Sequence, residues 1–376
     1  MSNSRRARRE RARREHKLAP VSAVQKRKSR WLLPVFSLLA ISLAGAFIFS
    51  GFLHQPQPKV SIPAIPEGKR SHRLSDIVDM TAEQLSMVDI AEVNLLCATG
   101  LPGSENFDIQ EGLKTLDHWA DSVQSETARN FHRFKTTPGE YESSEAFYRM
   151  GMLVTVLQQD LGIRYNPDLI DVPENDAAKL NRAFLTDSSN MFLTGVLGRR
   201  RLGSCSSMPV LYVAVARRLG YPVKLVLAKD HVFVRWDGSD GTVMNIEGTN
   251  HGIVAHSDDY YREWRHISRE EIADGLSLKS LSRGEELATF LITRSGTLAF
   301  HDRIPEAVTA ASEASRLWPK DKISKKMLAA YAAKLPEEEF RTLNVPPTRV
   351  TDQKLAGPPT PTVTDSEAKN PEKAHP

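Results

Sequence analysis

From Met208 onward, Leu211, Tyr212, Val215 and Leu219 recur at the spacing of a helix with one buried face. Arg217-Arg218 and then Gly220 form a basic last turn and a stop, and Pro209 falls in the first turn, where a missing N–H matters least. The pattern then changes period. Val223 to Ala228, His231 to Trp236 and Val243 to Glu247 read as three strands, and Asp237-Gly238-Ser239-Asp240-Gly241 suits an antiparallel turn between the last two. Upstream the spacing is helical. Thr81 and Gln84 form a capping-box pair ahead of Leu85, Val88 and Ile90, and Gly100 ends that run. Leu113, Leu116, Trp119 and Val123 predict a second helix, and Met150, Leu153, Val156 and Leu157 a third. Residues 285–335 return to helices. The expected fold class is therefore α+β, with helical flanks on a small antiparallel sheet.

Three chemically capable residues fall at the edges of these central elements. Cys205 lies in Gly203-Ser204-Cys205-Ser206-Ser207-Met208-Pro209, where the helix begins. His231 opens one strand and Glu247 closes the next. A thiol needs a base to become nucleophilic, and the base needs a third group to fix its tautomer and orientation. The positive end of a helix favours a thiolate, and its free N–H groups can hold an oxyanion. Cys205, His231 and Glu247 are thus the candidate catalytic set, as nucleophile, base and orienting acid. Alternation along the strand puts Asn245 on the same face as Glu247, so Asn245 is a second candidate for holding the imidazole. The bland reading of the same residues is a structural thiol and a satisfied core histidine.

Gly-x-Cys at a helix start, a strand opening with His, and Glu247-Gly248-Thr249 together resemble the transglutaminase-like superfamily. Asn94-Leu95-Leu96-Cys97-Ala98-Thr99-Gly100-Leu101-Pro102-Gly103, Leu161-Gly162-Ile163-Arg164-Tyr165-Asn166 and Arg217-Arg218-Leu219-Gly220-Tyr221-Pro222 are similar to its SirB-type bacterial branch. The resemblance spans roughly residues 75–320. It implies a papain-like core in which Cys205 is the nucleophile, His231 the base and Glu247 the acid. Glu247 stands where the family's usual residue is Asp, so its carboxylate is one methylene further out. Ala307, Ala314 and Pro319, with Leu291 and Leu298 before them, fall at spacings resembling a tetratricopeptide repeat. One and a half repeats cannot bury their own face, so these helices are expected to pack on the core.

Charge changes the picture at the amino terminus. The 376-residue chain has a formal net charge of +4, yet residues 1–30 carry twelve Lys or Arg against two acids, a local +10 that leaves −6 for the remainder. Trp31 to Leu53 follows with no charged residue, long enough to cross a hydrocarbon layer of about 30 Å. A basic cluster directly before such a span predicts a cytoplasmic amino terminus and an extracytoplasmic main domain rather than nucleic-acid binding. Ala44-Gly45-Ala46 would suit a signal peptidase, the alternative to an uncleaved anchor. Two cysteines are too few for a disulfide framework, and Cys97 reads as a packing thiol. His251, His256, Asp258 and Asp259 match no familiar ligand spacing, so no metal or other cofactor is expected.

The chain is expected to begin with a basic tail over 1–30, a transmembrane helix over 31–53 and a Pro-rich linker over 54–72. A helical region occupies 73–161, the transglutaminase-like core 162–280, repeat-like helices 281–335 and a disordered tail 336–376. The function expected is cysteine-dependent acyl transfer or hydrolysis of an extracytoplasmic peptide or carboxamide by a single-pass membrane protein. The partners expected are a peptide or protein substrate, the bilayer through 31–53, and a protein docked on the C-terminal helices. The alternative is a catalytically inactive binding module.

Overall fold

The computed structural model describes residues 72–343, apart from 171 and 173–175, together with residue 345. The predicted basic tail, the transmembrane helix and all of the linker but His72 lie outside the described residues. Among the described residues no helix is long and apolar enough to cross a membrane.

At the centre is the helix Ser207–Arg218, every residue of which from Ser207 to Ala216 is buried. Such a helix needs partners on all sides. It packs against the helices Ile90–Ala98, Ile109–Thr136 and Leu193–Leu197 and against the main sheet. Strand β1 (Arg164–Tyr165) pairs in parallel with β2 (Leu202–Gly203), which delivers the chain to Cys205. The strands β3 (Val223–Ala228), β4 (His231–Asp237), β5 (Val243–Ile246) and β6 (Ala255–His256) form an antiparallel meander in sequence order. The register pairs Ala228 with His231 and Val234 with Ile246, which puts the start of β4 and the end of β5 at the same end of the sheet.

The two arginines that end the central helix do more than stop it. Arg217 forms a paired contact with Glu286, at 2.5 and 3.0 Å, and Arg218 binds Asp117 at 2.8 Å and Asp89. A bidentate guanidinium–carboxylate pair fixes direction as well as distance. The helices Arg283–Phe300, Ile304–Leu317 and Lys322–Ala332 follow one another with short connections. Leu287, Leu291, Leu298, Ala307, Ala314 and Trp318 join the same apolar cluster as Leu95, Leu116, Leu211 and Leu225.

Two expectations need correction. The single helix predicted to run from Thr81 to Gly100 is two, Ala82–Ser86 and Ile90–Ala98. The capping box forms, with Thr81 and Gln84 exchanging both bonds, but Asp89 then caps a new helix by accepting from the Ala91 N–H. Residues beyond Pro336 are not all irregular, because Glu337–Thr342 is helical and buries Phe340 in a cluster with Val308, Ala311, Leu328 and Ala332. Three glutamates in its first turn suit the helix dipole, and Phe340 supplies the burial that composition alone concealed.

Candidate active site

The turn that carries Cys205 is held by its serine neighbours. The Ser204 N–H donates to Ser207 Oγ at 2.9 Å, the Ser206 N–H donates to Ser204 Oγ at 3.1 Å, and the Met208 N–H donates to the Ser204 carbonyl at 3.0 Å. Both Ser204 and Ser207 are fully buried. Cys205 thus sits two residues ahead of the first helical residue, at the positive end of the helix. Gly203 is closely packed just before it: a Cβ there would lie 2.6 Å from Met208 Sδ, so the buried Met208 side chain would have to shift.

His231 Nε2 and Glu247 Oε2 are 2.8 Å apart, and both side chains are almost wholly buried. The extra methylene of glutamate is accommodated by the loop after β5. Thr249 donates to Glu247 Oε1 through its N–H at 2.9 Å and its hydroxyl at 2.7 Å, while the Tyr261 hydroxyl donates to Oε2 at 3.2 Å. The carboxylate therefore accepts from four donors, which explains why a Thr follows two residues after the acid. Gly248 between them lies against the start of the central helix, where a Cβ would come within 3.0 Å of Pro209 Cγ. Acid loop and nucleophile turn are packed on each other.

Burial is the largest influence on both members of this pair and opposes charge on each. It is outweighed at His231 by hydrogen bonding and charge from Cys205 and Glu247, which raise the imidazole pKa to about 9. At Glu247 the His231 and Thr249 bonds overcome burial and hold the pKa below the usual carboxylate range. Nε2 is committed to Glu247, which leaves the other ring nitrogen open, and the Cys205 thiol is near enough to raise the imidazole pKa. All three sequence-derived residues lie together.

Asn245 does not join them. Its side chain accepts from Arg235 Nε at 2.7 Å and donates to the His256 carbonyl and to Asp258, so it braces a buried arginine instead. His256 stacks on Tyr260 with ring centroids 3.7 Å apart, and Asp258 and Asp259 pair with Arg235 and Arg262. Among the described residues no group of three or more His, Cys, Asp or Glu is arranged to hold a metal. Cys97 and Cys205 are both free thiols.

Four neighbours escaped the sequence reading. Tyr261 stacks on Phe233 at 3.9 Å beneath Glu247, and Trp264, one helical turn on, sets its ring against His231 at 4.9 Å. Their i,i+3 spacing in Tyr261-Arg262-Glu263-Trp264 was the available signal. Trp264 and Tyr260 are each 42% exposed, leaving an aromatic edge beside the imidazole. Gln158 lies in a π-helical turn, Val156–Asp160. It donates to Tyr212 Oη of the central helix and to the Asn250 carbonyl, and accepts from the Gly252 N–H. The fourth is Tyr165 on β1, paired with Gly203 on the strand that leads to Cys205; burial above all, and then the charge of Cys205, pushes its phenol pKa up.

No curated protein and no solved structure matches the chain. Residues 110–274, which contain the central helix, the sheet and all three residues of the site, match the family model of the transglutaminase-like superfamily, and it is to the core of that superfamily that this part of the chain is similar.

Proposed function

We propose that this chain is a membrane-anchored, cysteine-dependent acyl-transfer enzyme that hydrolyses a peptide or carboxamide bond outside the cytoplasm. The observation that carries the reading is the 2.8 Å bond between His231 Nε2 and Glu247 Oε2 beside the Cys205 thiol. In this reading the Cys205 thiolate attacks the carbonyl carbon. His231 gives its proton to the departing amine, leaving a thioester on Cys205. Water then attacks the thioester as His231 takes its proton, and the acid is released with the thiol restored. Glu247 keeps the ring in the orientation that serves both steps. Water is the favoured acceptor because no feature of the site selects an amine. Anchoring rests on the uncharged stretch Trp31 to Leu53 behind twelve basic residues. The finer placement, in a SirB-type branch with repeat-like C-terminal helices, is supported by Arg217-Arg218-Leu219-Gly220-Tyr221-Pro222 and by the buried Ala307 and Ala314.

The test is acylation of the full-length protein by p-nitrophenyl acetate, followed by peptide mapping. One acetyl group should appear on the peptide containing Cys205, and Cys205→Ala should lose it while remaining folded. Acetylation of Cys97 alone, in wild type and variant alike, would remove Cys205 from the role of nucleophile.

A further inference from the structure

Gln158 joins the nucleophile helix to the acid loop through three hydrogen bonds. It sits in the π-helical turn Val156–Asp160, which continues directly from the helix Glu145–Thr155. Such a turn holds one residue more than an α-helical turn, an irregularity frequent at functional sites. Val156 and Leu157, just before it, are buried in the main core, so the turn is anchored. Gln158 Nε2 donates to Tyr212 Oη and to the Asn250 carbonyl, both at 2.8 Å, and its Oε1 accepts from the Gly252 N–H at 2.7 Å. Both amide protons are used. A carbonyl that only accepts and an N–H that only donates leave the amide one orientation.

The loop that Gln158 grips is the one that holds the acid. Between β5 and β6 the chain runs out from Glu247 and returns at Val254, where the Glu247 N–H donates to the Val254 carbonyl at 2.8 Å. Within that loop Gly248 lies against Pro209, and Thr249 supplies two bonds to Glu247 Oε1. Asn250 and Gly252 then meet Gln158. Tyr212, to which Gln158 is tied, stands one turn beyond Pro209 on the central helix. That helix therefore meets the loop twice, directly at Pro209 and through Gln158 from Tyr212, and the two contacts fall on either side of Thr249. Resting on the reading of Cys205, His231 and Glu247 as the site, we infer that Gln158 is a positioning residue, which holds the loop so that Thr249 keeps Glu247 on His231. Without that grip the loop keeps its base at Val254, but Thr249 is free to shift. A displacement of about 1 Å in a supporting group is enough to slow a reaction on the order of 10²-fold.

The experiment compares full-length wild type, Gln158→Met, Thr249→Val and the double variant. Methionine matches glutamine in length and makes none of the three bonds, and valine removes the threonine hydroxyl while keeping its shape. The two readouts are the titration of the His231 ring by NMR and the rate of Cys205 acylation by p-nitrophenyl acetate. Gln158→Met should lower the pH at which the ring titrates, because a less firmly held Glu247 supports the imidazolium less. It should also lose about 10–10²-fold in acylation rate. The double variant should be no slower than the slower single one, since both changes act on the same contact. A lower melting temperature with titration and rate unchanged would overturn the assignment and make Gln158 a brace of the fold. A double-variant loss equal to the product of the single losses would overturn it too, because Gln158 would then act apart from Thr249. Should Gln158→Met fail to fold, Gln158→Glu carries the same comparison. It keeps the length and the acceptor for Gly252 but sets an oxygen against the Asn250 carbonyl. Absence of acylation in wild type would bring down the acyl-transfer reading itself, while the His231 titration would still decide the role of Gln158.

Discussion

Cys97 lies in the last turn of the helix Ile90–Ala98, and Cys205 lies just ahead of the first turn of Ser207–Arg218. All nine residues of its helix, Cys97 included, are buried, and burial pushes its thiol up to about 12. At that end of a helix the carbonyls point outward. The Arg294 guanidinium meets them, donating to the Cys97 and Thr99 carbonyls at 2.8 Å each. Cys205 is partly exposed, stands where N–H groups point outward, and has an imidazole near it. The same side chain is a packing atom in one place and a candidate nucleophile in the other. The end of the helix and the polar neighbours make that difference.

The sharpest way to break the contrast is to strip Cys205 of its electrostatic support. In Glu247→Gln, one of the four donors' two acceptor oxygens becomes an NH₂. Either Thr249 or the His231–Tyr261 pair then faces a donor. Acylation of Cys205 near neutral pH should fall on the order of 10²–10⁴-fold, the range seen when an orienting acid is replaced by its amide. Asn245→Ala should leave that rate close to wild type and instead cost about 1–2 kcal/mol of stability in urea unfolding, because Arg235 loses a buried partner. A collapse of the rate in Asn245→Ala with no change in Glu247→Gln would transfer the orienting role to Asn245.

A smaller effect follows from the charge on His231. Its pKa is raised from 6.5 to about 9, so the stability that the protonated ring contributes is complete below about 6.5 and is lost as pH rises through about 9. Glu247 works in the opposite sense: its contribution is present above 4.5 and fades as pH falls through its lowered value. The melting temperature of wild type should therefore decline across that alkaline window, and His231→Asn should lack that part of the decline. An imidazole that NMR shows to titrate near 6.5 would mean that Glu247 and Cys205 do not hold its proton.

The site itself was more legible in the chain than its surroundings. The stop at Arg217-Arg218-Gly220 and the period change into β3, β4 and β5 are local patterns, and they place Cys205, His231 and Glu247 at element ends. What the pattern could not carry was partnership at long range. Asp89 breaks a helix because it caps the next one and meets Arg218, 129 residues away. Tyr165 stands opposite Gly203, two residues before Cys205, only because β1 pairs with β2, and a two-residue strand has no periodicity to detect. Asn245 and Glu247 share a face as expected, yet Arg235 opposite Asn245 claims the amide, a competition visible only once register is known.

The smallest effect belongs to the other half of the contrast. Cys97→Ala removes one fully buried sulfur from a packed helix. Losing an atom the size of a methylene in such a setting costs about 1 kcal/mol. Alanine's better helix propensity returns up to about 0.7 kcal/mol of that. The net change in urea unfolding should thus be a small destabilisation. Acylation and alkylation at Cys205 should be unaffected, because no polar group of the site touches Cys97 and Arg294 binds its carbonyl, which alanine retains. A thiol at the carbonyl end of a helix, pushed up to about 12, should resist iodoacetamide in the folded protein and react only on unfolding. Rapid alkylation of Cys97 under native conditions would show that the helix Ile90–Ala98 opens far more readily than its burial implies. The distinction between the two thiols would then rest on exposure alone.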